Sequence, residues 1–293
     1  MKILVTGATG QIGSAVMAEL ARRGMLVRAF SRKPPAAHTL PEGSDWFQGD
    51  LLDPAALERA LQGVHKLFLL NAVAPDELTQ ALIAYSLARR LGVAHVVYLS
   101  VFKVDQFRDV PHFASKLAVE AALREFGVPF TILRPGYFYQ NDTRLQGALA
   151  GGGVYPSPIG TGGMAAVDVR DIAAAATEAL IGTGHAGKTY NLVAGQLTGP
   201  GVAEIWSRAL GKPVRYAGHD FGAWEKQMAA FVPAWSAFDL RVMFQGYTER
   251  GFTVTPAEVE AFAALLGHAP RRYEDFAVET AATWRSPTRG PRS

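Results

Sequence analysis

Thr6-Gly7-Ala8-Thr9-Gly10-Gln11-Ile12-Gly13 is the stretch on which the reading of this chain turns. It follows the β-branched run Ile3 to Thr6 and opens a segment in which Ile12, Val16 and Leu20 recur at a four-residue step, so strand, tight turn and helix come in succession. The three glycines have separate uses there. Gly7 permits the reversal from strand to helix, Gly10 removes a Cβ from the path of an approaching phosphate, and Gly13 lets the helix lie close on the strand. The backbone N–H groups from Thr9 through Gly10, Gln11 and Ile12 to Gly13 sit at the positive end of the helix, where a pyrophosphate binds. An ordinary turn explains one such glycine; three at this spacing, flanked by strand and helix, indicate a dinucleotide site.

The end of the second strand bears on which dinucleotide it is. An acidic residue there would accept hydrogen bonds from an adenosine ribose 2′-hydroxyl and repel a 2′-phosphate. The chain carries Ser31-Arg32-Lys33 instead, and a guanidinium beside an ammonium and a hydroxyl suits a 2′-phosphate. NADP(H) is therefore expected ahead of NAD(H), although the same pair also reads as a solvated loop start.

Outward from the glycine turn, short apolar runs alternate with helix-period segments as far as Leu133: Val27 to Phe30, Trp46 to Gln48, Leu67 to Leu70, His95 to Leu99 and Phe130 to Leu133 follow the first strand. This alternation predicts an α/β fold, a doubly wound parallel Rossmann sheet, followed by a smaller, mainly helical C-terminal substrate domain. Gly, Pro and Ser crowd the segment from Tyr139 to Gly163, which reads as a long mobile loop. Asp168 to Leu180 then reads as a capped helix and Thr189 to Val193 as a strand returning to the main sheet. The expected division is a cofactor domain over residues 1–138 plus 164–194, a substrate cap over 139–163 plus 195–285, and a flexible tail over 286–293. The aromatics of the cap (Trp206, Tyr216, Phe221, Trp224, Phe231, Trp235, Phe238, Phe244 and Tyr247) are expected mostly in its core. Any that face a cleft would suit a flat, conjugated ligand.

Composition narrows the remaining possibilities. The 293 residues, 49% of them hydrophobic, suffice for about two domains with their own cores. Lys plus Arg number 29 against 26 Asp plus Glu, so the net charge of +3 gives no support to nucleic-acid binding. The absence of cysteine excludes disulfides, thiolate zinc, iron–sulfur clusters and a thiol nucleophile. The seven histidines, at 38, 65, 95, 112, 185, 219 and 268, lack metal-ligand spacing, and no metal is expected. No Gly-x-Ser-x-Gly elbow is present. Without a secretory h-region after Met1 or an apolar run of membrane-spanning length, a cytoplasmic protein with no membrane partner is expected.

The chain resembles the atypical short-chain dehydrogenase/reductases, and within them the NmrA-like branch. The resemblance runs over nearly the whole chain: Val5 to Gly13, Gly49-Asp50-Leu51-Leu52-Asp53, Lys116 followed by Glu120, Ile132-Leu133-Arg134-Pro135-Gly136 with Asn141, and, further on, Leu210-Gly211-Lys212-Pro213-Val214 and Arg271 to Phe276. It implies that Asp50 and Leu51 flank the adenine, that Asn71 and Ala72 lie along the nicotinamide side, that Lys116 holds the nicotinamide ribose, and that Pro135, Gly136, Tyr137 and Phe138 approach the nicotinamide ring. Read without it, Asp50 is equally a turn or cap residue and Pro135-Gly136 an ordinary turn.

The resemblance also marks a departure. Catalytic members of the wider superfamily carry a tyrosine four residues before the active-site lysine; here the segment is His112-Phe113-Ala114-Ser115-Lys116, while Ser100 matches the superfamily's serine. Reduction of a simple ketone leaves a strongly basic alkoxide that calls for a positioned acid. A quinone yields a phenolate with a conjugate acid near ~10, so positioning alone goes far. Two roles are open to His112, proton donor or pocket wall, and Tyr137 and Tyr139 are further candidates for the donor. Three functions follow: an NADPH-dependent oxidoreductase acting on a quinone or other small conjugated aromatic, a non-catalytic NADP(H) sensor with a protein partner, or a redox enzyme for a polycyclic aromatic intermediate. A homodimer is compatible with each.

Overall fold

The computed structural model describes residues 1–34, 40 and 42–285; His38 and the expected tail over 286–293 lie outside the described residues. In chain order the elements are β1 (Lys2–Thr6), α1 (Gln11–Arg22), β2 (Leu26–Ser31), β3 (Asp45–Gln48), α2 (Pro54–Leu61), β4 (Lys66–Leu69), α3 (Glu77–Arg90), β5 (His95–Leu99), α4 (Pro111–Glu125), β6 (Phe130–Pro135), β7 (Tyr137–Phe138), β8 (Val154–Tyr155), β9 (Met164–Val167), α5 (Val169–Ile181), β10 (Lys188–Leu192) and β11 (Gly195–Leu197). There follow α6 (Gly199–Leu210), β12 (Arg215–Tyr216), α7 (Phe221–Met228), α8 (Ala234–Gly246), α9 (Pro256–Leu266) and α10 (Tyr273–Arg285). They form two compact units, one of Met1–Pro135, Val169–Leu192 and Ala261–His268, the other of 136–168, 193–260 and the described residues from 269 on.

The first unit is a doubly wound parallel sheet of seven strands in the order β10-β6-β5-β4-β1-β2-β3. Its central strands are covered on both faces and read as near-continuous apolar runs: all five residues of β5 are buried, the one ring nitrogen-bearing side chain among them, His95, pairing with the Thr131 hydroxyl at 2.9 Å. Leu4 enters a cluster with Leu57 and Leu61 of α2, Ala84 of α3, and Val119 and Leu123 of α4. Its neighbours Ile3 and Val5, also fully buried, point to the opposite face by strand alternation, where α1 packs on α5. Asp53 caps α2 by accepting the Ala56 N–H at 3.0 Å, with Pro54 at the first helical position. The expected strand over Thr189 to Val193 is β10, and it does return to the sheet, parallel to β6.

Strand order reverses between β1 and β4, which makes their C-terminal ends the place where a crevice opens in such a sheet. Thr6 joins the two ends. Its buried hydroxyl accepts the Leu70 N–H at 2.8 Å and donates to the Leu70 carbonyl at 2.7 Å.

The second unit holds the sheet β11-β9-β7, the parallel pair β12-β8 and most of its mass in helices. Trp206 of α6 stacks on Trp284 of α10 at 4.9 Å between ring centroids, with Phe276 edge-on. Two expectations need correction here. The segment 139–163 is folded, not a structureless loop: it contains a 3₁₀ turn over Tyr139–Leu145, a π-type turn over Gly147–Gly151 and strand β8, and it buries Asp142, Leu149, Tyr155 and Ile159. Its glycines and prolines mark corners between residues that do have a core to enter. The aromatics divide as well: Trp206, Phe244 and Tyr247 are buried, whereas Phe231, Trp235 and Phe238 are 77%, 40% and 47% exposed. Among the described residues no helix is long and apolar enough to cross a membrane.

Candidate functional site

Three of the predicted clusters lie at the C-terminal ends of parallel strands in the first unit. Gly7 follows β1, Ser31 ends β2 and Asn71 follows β4. Gly7 has φ +61°, a conformation that costs other residues strain. A Cβ on Gly13 would stand 2.3 Å from the Gly7 carbonyl oxygen, so helix and turn approach as closely as the fingerprint requires. Gly10 caps α1 in an extended conformation with no side chain on the helix N–H groups, and the first turn holds no acid. Thr9, Gly10 and Gln11 are exposed, while Ile12 sends its side chain into the core and offers only backbone. The start of α1 thus offers N–H groups without a local anion to occupy them.

Around the ends of β2 and β3, the Ser31 hydroxyl donates to the Lys33 carbonyl at 2.6 Å and accepts the Trp46 indole N–H at 3.0 Å. Arg32 and Lys33 are exposed, and neither forms an ion pair among the described residues. Gln48 holds the Arg32 carbonyl at 3.2 Å. Asp50 accepts the Leu52 N–H at 2.9 Å and so shapes the turn after β3, while Leu51 packs against the core.

At the β4 end, Asn71 is buried and its Nδ2 donates to the Glu77 carbonyl at 2.9 Å; its Oδ1 has no hydrogen-bond partner. Ala72 is exposed. Lys116, on α4, is 8% exposed and its ammonium lies 3.4 Å from the carboxylate of Glu77, itself 3% exposed. His112 stands one turn earlier on α4, partly exposed, with Phe113 edge-on at 4.8 Å. Ser100 gives its hydroxyl proton to Glu120 at 2.6 Å.

Glu120 shows why the sequence pairs it with Arg134. The guanidinium donates through Nε and Nη2 at 2.9 and 2.6 Å, clamping α4 to β6. Burial alone would raise the Glu120 pKa, but hydrogen bonds from Arg134 and Ser100 outweigh it and hold the carboxyl below its ordinary value. Pro135 ends the clamped strand, and its carbonyl accepts the Phe102 N–H at 2.9 Å.

Gly136, Tyr137 and Phe138 open the second unit, with β7 paired to β9. The Tyr137 hydroxyl donates to Oδ1 of Asp142 at 2.9 Å, and Tyr273, which accepts the Trp206 indole N–H at 2.8 Å, donates to Oδ2. Burial pushes Asp142 up to about 6, against the hydrogen bonds from Tyr273 and Tyr137. Burial and the Asp142 charge raise Tyr137 well above the usual phenol value. The Tyr139 hydroxyl, the other phenol considered, donates to the Arg271 carbonyl at 3.3 Å.

Glu77, Thr6 and Asp142 were not singled out from the sequence. Glu77 reads as an ordinary first-turn acid after Pro75-Asp76, and Thr6 as a strand end. Asp142 has partners at 137 and 273, so no local spacing marks it.

Residues 1–277 match the NmrA-like family. The (4-alkanoyl-5-oxo-2,5-dihydrofuran-3-yl)methyl phosphate reductase of Streptomyces griseus is 34% identical over 286 residues, 95% of this chain and 98% of the relative. The NAD(P)H azoreductase of Xenophilus azovorans is 34% identical over 218 residues, 73% of this chain and 76% of the relative. Among solved structures, the NADPH-dependent quinone oxidoreductase of Escherichia coli in complex with NADPH superposes with a TM-score of 0.84 at 26% identity, covering 94% of this chain and 99% of that one. Matched by its family over nearly its whole length, with the glycine turn at the strand reversal, this chain belongs to the NmrA-like family.

Proposed function

We propose that the protein is an NADPH-dependent reductase of a quinone or another conjugated, electron-poor aromatic acceptor. The observation that carries this reading is the uncapped, acid-free start of α1 behind the Gly7 turn, at the point where strand order reverses. The residues fit the cofactor. The N–H groups from Thr9 to Gly13 would hold the pyrophosphate, the exposed Arg32 and Lys33 beside Ser31 the 2′-phosphate, and Asp50 and Leu51 the adenine. Asn71, whose buried Oδ1 lacks a partner, Ala72, Ser100 and Lys116 would line the nicotinamide half, with Pro135 at the end of β6 in the same unit. Bound there, NADPH supplies the hydride.

The chain's own part is mainly to bind and orient. Lys116 would donate to the nicotinamide ribose and so help to hold that half of the cofactor in place. His112, one turn away on the same helix, is the group that would meet the acceptor's oxygen, whereas the Tyr137 hydroxyl gives its hydrogen bond to Asp142. A phenolate-like product asks little of the acid, so histidine in place of tyrosine at 112 is compatible with turnover of a quinone. The reductase names of the two relatives and of the quinone oxidoreductase support the reaction class.

A second reading, an NADP(H) sensor that signals to a protein partner, draws on that same His112. The two separate in an assay of NADPH oxidation against quinones, azo dyes and aromatic ketones, with NADH in parallel. The reductase reading expects turnover selective for NADPH that is lost in Lys116→Ala. Tight NADPH binding with no turnover of any acceptor would favour the sensor.

A further inference from the structure

A lysine that is 8% exposed is costly to keep charged unless an anion lies beside it, and the fold provides one in Glu77. The two residues come from different helices, α3 and α4, and meet at 3.4 Å. Glu77 is fixed from a second side, because its backbone carbonyl accepts the Asn71 side-chain N–H at 2.9 Å. One residue is therefore joined by its carboxylate to the ammonium of Lys116 and by its carbonyl to the amide of Asn71.

The consequence lies in what those two side chains have left to offer. An ammonium has three N–H donors, and Glu77 draws one of them, which sets the direction of the others. The Asn71 amide N–H donates to the Glu77 backbone carbonyl, so its orientation is set as well, and its Oδ1 is left buried without a partner. An unpaired buried acceptor is a standing cost that a ligand hydroxyl removes. A cationic donor and a neutral acceptor held through the same residue match a vicinal diol, in which one hydroxyl accepts and the other donates.

We infer that Glu77 is a positioning residue of this site, its carboxylate holding Lys116 beside an Asn71 that the backbone carbonyl of residue 77 orients whatever its side chain, so that the two present donors and an acceptor to the diol of the nicotinamide ribose. This rests on the cofactor reading above. A purely architectural Glu77 would bridge α3 and α4 and leave ligand contacts alone, and the two roles differ in which part of the dinucleotide is affected when the carboxylate changes.

Calorimetric titration of the native protein, Glu77→Gln and Glu77→Asp with NADPH and with adenosine 2′,5′-bisphosphate tests this. The bisphosphate keeps the adenine, its ribose and the 2′-phosphate but lacks the nicotinamide ribose. Glu77→Gln preserves shape and removes the charge; it should weaken NADPH about tenfold, the scale of one charge-assisted hydrogen bond, and leave the bisphosphate unchanged. Glu77→Asp keeps the charge one methylene back, and should lose less on NADPH and nothing on the bisphosphate. It also serves if the glutamine variant does not fold. Equal losses on both ligands, or no loss on NADPH, would overturn the positioning role. A native protein that binds the bisphosphate and not NADPH would overturn it too, whereas one that binds neither removes the cofactor reading and this inference with it.

Discussion

Ser31 shows how a residue's neighbours revise its meaning. Its hydroxyl is engaged with the Lys33 carbonyl and the Trp46 indole, so it builds the turn that presents Arg32 and Lys33 and is a shaping group for the site. On the proposed cofactor reading, the 2′-phosphate would then fall to the two exposed cations. Replacing both by alanine should weaken NADPH about tenfold in calorimetric titration and leave NADH unaffected, since only the phosphorylated ribose has charge for them to meet. Equal loss on both cofactors would place the pair elsewhere than at the 2′-phosphate. Asp50 was legible as either turn residue or ligand contact, and its bond to the Leu52 N–H makes the first concrete without using its second oxygen.

At the scale of elements, the central parallel strands could be read because β1, β4 and β5 are short, mostly apolar runs buried on both faces, a signal carried within four or five residues, whereas the edge strands β3 and β10 are partly exposed and mixed in composition. The second unit gives no such signal. Strands β7, β8 and β12 are two residues long, and their partners come from distant parts of the chain. The Asp142 cluster is the clearest case: the 3₁₀ turn carrying the carboxyl meets Tyr137 of β7 and Tyr273 of α10, which only the fold brings together. Its titration has a definite sign. Asp142 sits at about 6 in the folded protein, above its ordinary 3.8, so the folded state holds the proton more tightly. The stability this gives is present below about 3.8 and lost as pH rises through about 6, a change on the order of 3 kcal/mol. His95, pushed down to about 4 by burial and by the Lys66 charge, acts in the opposite sense. Denaturant unfolding of Asp142→Asn and the native protein across this range cancels the His95 contribution. The difference between their stabilities should move in the variant's favour as pH rises from 4 to 6 and then level off; a difference independent of pH would mean that Asp142 does not titrate there.

For the whole molecule, sequence and structure have unequal reach in the two units. The glycine turn and the basic pair after β2 could be singled out as candidates because a phosphate-binding turn draws on adjacent residues, and Lys116 by family likeness alone. Glu77 escaped because its contact with Lys116 arises from the packing of α3 on α4. The exposed Phe231, Trp235 and Phe238 were hidden in a composition that, counted alone, reads as core. On the proposed function, the NmrA-like chain uses its cofactor site for reduction. The most direct measurement mixes the NADPH-bound protein with a quinone under anaerobic conditions in a single turnover and follows the NADPH absorbance. Bound NADPH is expected to decay on mixing, more slowly when deuterium replaces the transferred hydrogen and not at all in Lys116→Ala. NADPH that remains bound and unoxidised across the quinones tried would contradict it.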